Sequence, residues 1–442
     1  MSNHTIAVIG GGMAGTAAAH ALLRQGHRVI IIEQQDRLGG RIHSHTMGDL
    51  TVELGAGFLS SFYTNTLAFL RETRLEASLH PRRSPAYVVK GQIAYGLTNW
   101  RTLVGQRWLS WPAKLRLAKE FATVVRAWNR LDLHEPWRAA DLDTVSVAEH
   151  LGTTTAGREL LSCMAEPLLN GYCYWSSQQT SQATLMLILK TAALPHQTRI
   201  LAGGLQQIPE AAAQGAEVWL SHQVQQVRST TDGGYTLTLQ PTSGPIKTLS
   251  ADGIVCATTA SQVSTLLPFL TPDQQAFFKA VSYSSTAVVA TRVRRSTDSA
   301  ARSVAYVRQP GRAMGALTVA TDLSTTADAI KQYASGDHGA ALCAQPDQKI
   351  KAQLRSSMAP FAMPPSEAVE DEQVQRWPEA IPHFSVGHLR RLSRFADGQI
   401  EDQRQPIVFA GDYLCGPFIE GAFTSGVRAA DRLSGRLRSS TN

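Results

Sequence analysis

Near the N-terminus, unbroken apolar runs alternate with apolar positions at helical spacing. Residues 5–9 are apolar after the first, the pattern of a parallel strand buried on both faces. The turn Gly10-Gly11-Gly12-Met13-Ala14-Gly15 follows at once, and a helical pattern then runs to Gln25. A second apolar run, 27–33, ends in the carboxylate of Glu33. Strand, glycine turn, helix and strand in this order predict a βαβ nucleotide-binding unit. Further strands are predicted at 86–89, 251–257 and 286–293, and an apolar helix around 185–194 that Lys190 interrupts. That helix is shorter than the roughly 20 residues a bilayer requires. Residues 86–198 read as mainly helical, with turns around Gly91 and Gly96, and 284–390 as mixed. A proline loop is expected at 360–365 and fraying after Leu437.

At 442 residues the chain exceeds what one core organises, so two interleaved domains are expected. Hydrophobic residues make up 43% and charged residues 17%, which is globular rather than disordered. The five cysteines (Cys163, Cys173, Cys256, Cys343, Cys415) are scattered without a C-x-x-C pair. This argues against a disulfide framework or a metal site and for a reducing cytoplasm. No basic stretch followed by an apolar leader opens the chain. The net charge of +7 is concentrated in one place: from 98 to 138, eight Lys or Arg stand against three acids, together with five of the eight tryptophans. This stretch is expected to be either a solvated helical face with tryptophans in the core, or an amphipathic lid in peripheral contact with a membrane. No recognition motif accompanies the charge, so nucleic-acid binding is not expected.

The glycine turn has a chemical reason at each position. Gly10 permits the tight bend, Gly12 lets the backbone approach a pyrophosphate, and Gly15 lets the helix pack closely on the strand. Met13 and Ala14 open that helix, whose free N–H groups and partial positive charge face phosphate. Glu33, eighteen positions after Gly15 and followed by Gln34, stands where ribose hydroxyls need an acceptor. Two further turns, Gly39-Gly40-Arg41 and Gly55-Ala56-Gly57-Phe58, extend the site toward a longer cofactor, with Arg41 as a phosphate or flavin contact.

With these turns the chain resembles the flavin-containing amine oxidase superfamily, which includes monoamine and polyamine oxidases, protoporphyrinogen oxidases and the phytoene desaturase group. Gly203-Gly204-Leu205-Gln206-Gln207-Ile208-Pro209 is similar to the family's G-G-x-x-x-[IL]-P segment. Val224 and Val227 fall where the family's backbone holds adenine. Phe409-Ala410-Gly411-Asp412 and the 420–426 segment resemble the C-terminal flavin signature. The resemblance implies non-covalent FAD, with Asp412 accepting from ribityl hydroxyls and Gly421 and Ala422 opening a helix toward the flavin pyrimidine. Trp377 lies in a segment similar to the tryptophan segment of bacterial protoporphyrinogen oxidases, which passes back toward the flavin. The fold implied is α/β (α+β): a glutathione-reductase-like FAD-binding Rossmann domain from 1–80, 199–283 and 395–442. An interleaved substrate domain of mixed sheet and helices takes 81–198 and 284–394.

This sequence departs from the amine oxidases at three points. The lysine many of them carry beside flavin N5 is missing from 280–293, with Thr286 or Ala287 in its place. Their second aromatic wall falls near Gly387 and His388, which leaves Phe418 facing an incomplete cage, and Gln35 stands where the family often has an arginine. No side chain is marked as catalytic, because hydride transfer needs only a C–H bond held about 3.5 Å from the acceptor in a dry pocket. His383 is the one candidate base. Tyr172, Tyr174, Trp175, Tyr283, Phe384 and Phe418 are the candidate pocket walls, with core packing as the alternative for each. His43 and His45 read as loop residues, with a flavin contact as the alternative, and a thioether at Cys415 is not expected. The expected activity is hydride abstraction from a C–N or C–C unit of a sizeable, partly apolar small molecule. Dioxygen or a quinone-like acceptor is expected, since no second dinucleotide motif serves NAD(P)H. The alternatives are an amine or amino-acid oxidase proper, a redox-neutral isomerase or dehydroxylase, and a binding protein like the relatives that escort prenylated proteins.

Overall fold

The computed structural model describes residues 4–82, 86–90, 93–96, 108–193, 197–231, 233–295, 302–306, 312–320, 324, 326–358, 368–398 and 405–440. Trp100, Arg101, Arg107, the turn at Gly91 and the 360–365 loop lie outside them.

The central sheet has five parallel strands: β1 (Thr5–Ile9), β2 (Arg28–Ile32), β3 (Glu217–Trp219), β4 (Gly253–Cys256) and β5 (Ile407–Phe409), in the order β3-β2-β1-β4-β5. Side-chain alternation divides its apolar residues between two layers. Ile6, Val8, Val29 and Ile31 pack with Ala14, Ala18 and Leu22 of α1 (Met13–Arg24) and with Ala429, Ala430 and Leu433 of α2 (Ile419–Ser440). Ala7, Ile9, Ile30 and Ile32 pack on the other side with Val224, Leu237 and Leu239 of a three-stranded antiparallel sheet. Both faces are covered, which is why these strands read as continuous apolar runs. Each fully buried Ile or Val contributes about 1.5–3 kcal/mol relative to exposure. The two helices touch at Gly426, where a Cβ would lie 2.1 Å from the Ala14 carbonyl oxygen. Leu433 and Leu437 are buried along α2, which runs to Ser440; residues 441–442, the end of the tail expected to fray, lie outside the described residues.

A second, seven-stranded sheet runs in the order Val369–Trp377, Thr286–Arg294, Ala327–Ala334, Met314–Ala320, Arg302–Tyr306, Ala86–Lys90 and Ile93–Gly96. Its pairs are antiparallel except that between Arg302–Tyr306 and Ala86–Lys90. Gly96, expected in a turn, instead ends a strand because it pairs with Tyr87 across the hairpin. A helical layer adjoins this sheet. Its helix Trp111–Arg126 starts at Ser110, whose hydroxyl accepts from the Ala113 N–H, and has Pro112 in its first turn. Val124 and Leu131 pack against Leu187 and Leu189 of the helix Gln182–Ala193. Lys190 fits inside that apolar run because its ammonium donates to the Trp128 and Leu131 carbonyls at 2.9 and 2.6 Å. Among the described residues, no helix is long and apolar enough to cross a membrane.

Candidate functional site

The chain leaves β1 through Gly10, at φ +103°, where a Cβ would lie 2.8 Å from the Ala257 carbonyl oxygen. A Cβ on Gly15 would stand 2.0 Å from the Gly10 oxygen, so α1 can begin this close to the strand only with glycine there. In front of Gly12 the space is open: its Cβ would meet Gly40 Cα at 4.0 Å. Gly11 escaped the sequence reading, which assigned roles to its neighbours. Its N–H donates to Glu33 Oε2 at 2.7 Å, and any side chain there would strike Leu38 at 2.6 Å. The Gly11 carbonyl in turn accepts from the Gly39 N–H at 2.8 Å, which locks the second glycine turn onto the first.

Glu33 follows β2 and is buried, its other oxygen accepting from the Gln35 N–H at 2.8 Å. Gln34 beside it is exposed. Arg37, also not anticipated, braces the second turn by donating to the carbonyls of Leu38, Gly40 and Ile42 at 3.2, 3.0 and 3.0 Å. Carbonyl partners leave no trace in a side-chain pattern. Arg41 forms a two-pronged pair with Asp412, at 2.9 and 2.8 Å, and donates to the Ala380 carbonyl at 3.0 Å. Burial works against the Arg41 charge, but Asp412 and the nearby Tyr283 outweigh it and hold the guanidinium pKa above its ordinary value. The Tyr283 ring lies 5.7 Å from that guanidinium, and its hydroxyl accepts from the Ala260 N–H. Past β5, the Gly411 N–H donates to Ser425 Oγ at 3.0 Å. Gly421 passes so close to Gly416 that a Cβ would lie 1.9 Å from its oxygen, and the Ala422 N–H closes the first turn of α2 on the Phe418 carbonyl.

The third glycine turn is held from three sides. Gly55 packs on the Arg41 carbonyl, 2.0 Å from where its Cβ would be, and the Ala56 N–H donates to the same oxygen. Trp377 is buried, donates to the Leu54 carbonyl at 2.8 Å and lays its ring against Gly55. Lys331, 9% exposed, donates to the Glu53 carbonyl at 3.2 Å, with Nζ 3.3 Å from where a Gly57 Cβ would stand. Strand Thr286–Arg294 holds no lysine, but its neighbour Ala327–Ala334 presents this one, paired with Ala290. Phe58 lies under the Arg82 guanidinium at 5.0 Å. The Glu53 carboxylate accepts from the Leu205 N–H at 2.7 Å and from Ser44, which ties the 203–209 segment to this turn. Burial raises the Glu53 pKa, against the pull of those donors and of Lys331. Val224 sits at a bulge and is buried in the core beneath the parallel sheet.

Phe418 meets Phe62 and Tyr63, with ring centroids 6.2 and 6.4 Å away. It also lines a small, partly open apolar crevice with Leu133, Leu187, Ile188, Phe384 and Pro417. Phe384 stacks on Trp175, which is 1% exposed inside the helical core. Tyr172 and Tyr174 lie on the same segment, half-buried, with Tyr174 hydrogen-bonded to Thr286. His383 stands edge-on to Trp175, and burial lowers its pKa. His388 fills the expected position of the second aromatic wall with a buried imidazole. Its Nε2 donates to the Tyr413 carbonyl at 3.1 Å, its ring lies 4.5 Å from Phe384, and burial brings its pKa to about 4. One further pair was not foreseen: His134 Nε2 meets the buried Glu420 at 2.7 Å, and that carboxylate also accepts from the Asn65 and Thr66 N–H groups.

Comparison with known proteins adds the context. A model of the flavin containing amine oxidoreductase family matches residues 13–434. A putative flavin-containing monoamine oxidase of Mycobacterium tuberculosis is 28% identical over 245 residues, 50% of this chain and 51% of that protein. Putrescine oxidase of Kocuria rosea is 28% identical over 145 residues, 32% of this chain and 29% of that protein. The match thus spans about half the length of the first relative and less of the second. Among solved structures, wild-type putrescine oxidase superposes with a TM-score of 0.77 at 20% identity, over 98% of this chain and 100% of that one. A putative protoporphyrinogen oxidase from an Exiguobacterium species gives 0.74 at 18% identity, over 99% and 100%. These two share the mixed α/β fold. Because the family match runs from the first residue of α1 into the last turns of α2, and so takes in the second and third glycine turns, the chain belongs to the FAD-dependent family of flavin-containing amine oxidoreductases.

Proposed function

We propose that this protein is an FAD-dependent oxidase of a sizeable, partly apolar amine, acting on its C–N unit and using dioxygen as electron acceptor. The observation that carries the reading is a convergence at one edge of one sheet. Gly10, Glu33, Ala257 and Gly411 each follow the carboxyl end of a parallel strand, where ligands of such sheets bind. In this reading 1–80, 199–283 and 395–442 make up a glutathione-reductase-like FAD domain, and 81–198 with 284–394 the substrate domain.

The residues at that edge fit the cofactor. Each Glu33 oxygen accepts one backbone N–H and keeps capacity for a ribose hydroxyl. The backbone at Gly12 borders open space, and the first N–H groups of α1 lack helical partners. Arg41 and Asp412 offer a cation and an acceptor together, while Trp377 and Lys331 fix the turn that faces them. Attachment is non-covalent in this reading. The Cys415 thiol donates to the His134 carbonyl at 3.1 Å, and burial pushes its pKa up to about 12, so it offers no thiolate.

When bound, FAD supplies a two-electron acceptor for a hydride from the substrate carbon. The side chains hold the substrate and keep water out. Phe418, Phe384, Leu187 and Ile188 give the crevice apolar walls. His388, with its depressed pKa, stays neutral beside them and so repels no amine. None of the aromatic residues is assigned a proton transfer, and His383 faces Trp175 rather than this crevice. The names of two relatives, a putative monoamine oxidase and a putrescine oxidase, support an amine, while that of a third, a zeta-carotene desaturase, would fit a C–C unit. The test is hydrogen peroxide release from the holoenzyme with a panel of aliphatic, aromatic and short diamine substrates. Turnover of tetrapyrrole or polyene precursors, but of no amine, would instead support oxidation of a C–C unit, which the Trp377 segment favours.

A further inference from the structure

We propose that His134 is a positioning residue for the substrate: it clasps together the two chain segments whose spacing sets the crevice beside Phe418. This rests on the reading that the crevice admits the substrate. The crevice is a seam, bordered by Leu133 and Pro136 from one segment and by Pro417 and Phe418 from the other. His134 stands between the first two and reaches the second pair on both flanks. Its ring Nε2 meets Glu420 Oε1 at 2.7 Å, two residues beyond Phe418. Its carbonyl accepts from the Cys415 thiol at 3.1 Å, two residues before Pro417, and from the Arg428 guanidinium. The His134 N–H donates to Asp132 at 2.8 Å, which shapes the segment that presents the ring.

The far side of the clasp is firmly held. Glu420 is 2% exposed and accepts from the Asn65 and Thr66 N–H groups at 2.8 and 2.9 Å and from the Thr66 hydroxyl at 2.7 Å, so the helix Thr64–Glu72 anchors it independently of His134. The segments already touch at Gly416, where a Cβ would lie 2.9 Å from the Leu133 carbonyl oxygen. The gap just beyond, between Leu133 and Phe418, therefore follows how tightly His134 draws its segment down. Charge on the ring sets that tightness. Glu420 and Asp132 face the imidazole and favour its protonated form, while Arg428, itself 3.5 Å from Glu135, opposes it. Lys190, on the helix Gln182–Ala193, neighbours Asp132 and is held by the Leu131 carbonyl. The Cys415 thiol, pushed up to about 12, and the Tyr63 hydroxyl, raised by burial and by Glu420, stay neutral. The hydrogen bond to Glu420 raises the His134 pKa. The clasp is thus charge-assisted below the folded value and becomes a neutral hydrogen bond, about half as strong, as pH rises through it.

Indole, a neutral apolar probe that does not titrate between about pH 6 and pH 9, separates this role from a merely structural one. Its binding to the FAD-loaded full chain is followed by the shift of the flavin band. The parent is expected to lose about fivefold in affinity as pH rises across that range. His134→Gln should bind as weakly at low pH as the parent does at high pH, with no dependence on pH. His134→Lys carries a cation throughout and should bind equally well at both ends. With an amine that turns over, His134→Gln should raise KM and keep kcat. A parent with a flat profile, or a His134→Gln variant that keeps the parent's profile, overturns the proposal and leaves the crevice reading standing. Indole that moves the flavin band at no pH overturns that reading and the proposal with it.

Discussion

Arg41 and Asp412 lie 371 positions apart in the chain and meet in a two-pronged ion pair at 2.9 and 2.8 Å. The pair joins the second glycine turn to the end of β5, so two of the segments assigned to the cofactor domain are fastened by it. Asp412→Asn keeps the shape and removes the charge. It should cut FAD affinity by at least about tenfold and lower stability by on the order of 1 kcal/mol, a modest figure because the Arg41 side chain is 31% exposed. Fluorescence titration of the apoprotein with FAD checks the first effect and thermal melts the second. Unchanged affinity would remove Asp412 from the cofactor site.

Glycine substitutions separate the site from the scaffold. Gly11→Ala places a Cβ 2.6 Å from Leu38 and 3.1 Å from Glu33, so it should displace the Glu33 carboxylate and leave a protein that purifies without flavin. Gly435→Ala, inside α2 with nothing within 4 Å of its new Cβ, should raise stability by about 0.5–1 kcal/mol and keep the flavin. Thermal melts and the ratio of visible to protein absorbance report both.

Two histidines set opposite pH limits. Burial lowers His388 from 6.5 to about 4, so the stability it contributes is full above 6.5 and is lost as pH falls through about 4. The stake is on the order of 3 kcal/mol. The hydrogen bond to Glu420 raises His134, so its contribution is full below 6.5 and is lost as pH rises through its folded value. Melting temperature against pH should therefore converge between parent and His388→Asn on the acid side, and between parent and His134→Gln on the alkaline side. Curves that stay parallel would refute these assignments.

The crevice beside Phe418 makes a kinetic prediction. Ile188→Trp should obstruct it and raise KM for a bulky amine by at least about tenfold, with the bound flavin spectrum unchanged. Steady-state peroxide assays on that variant decide the point. An unaltered KM would place the substrate elsewhere.

How much of this was legible in the sequence depended on distance along the chain. The Thr5–Ile9 strand, the turn at Gly10 and the start of α1 are local, and spacing alone locates them. The Lys190 ammonium looked like an interruption because its partners, the Trp128 and Leu131 carbonyls, lie in the turn that follows another helix, 62 and 59 positions earlier in the chain. Gly11 and Arg37 went unseen for a related reason: they act through a backbone N–H to Glu33 and through backbone carbonyls, which no side-chain pattern records. Lys331 was hidden by topology. The sequence reading for a lysine covered 280–293, and Lys331 lies outside it, on the neighbouring strand opposite Ala290. Exposure of the Trp111 stripe was one of two readings left open in the sequence, since an apolar stripe at helical spacing serves a buried face or an outward one.

The most direct test of the central claim is the visible spectrum of the purified protein, followed by anaerobic titration with an apolar amine. The account predicts a band at about 450 nm that the amine bleaches and that admitted air restores. A colourless protein that cannot be loaded with FAD, or a flavin band that no amine bleaches, would contradict it.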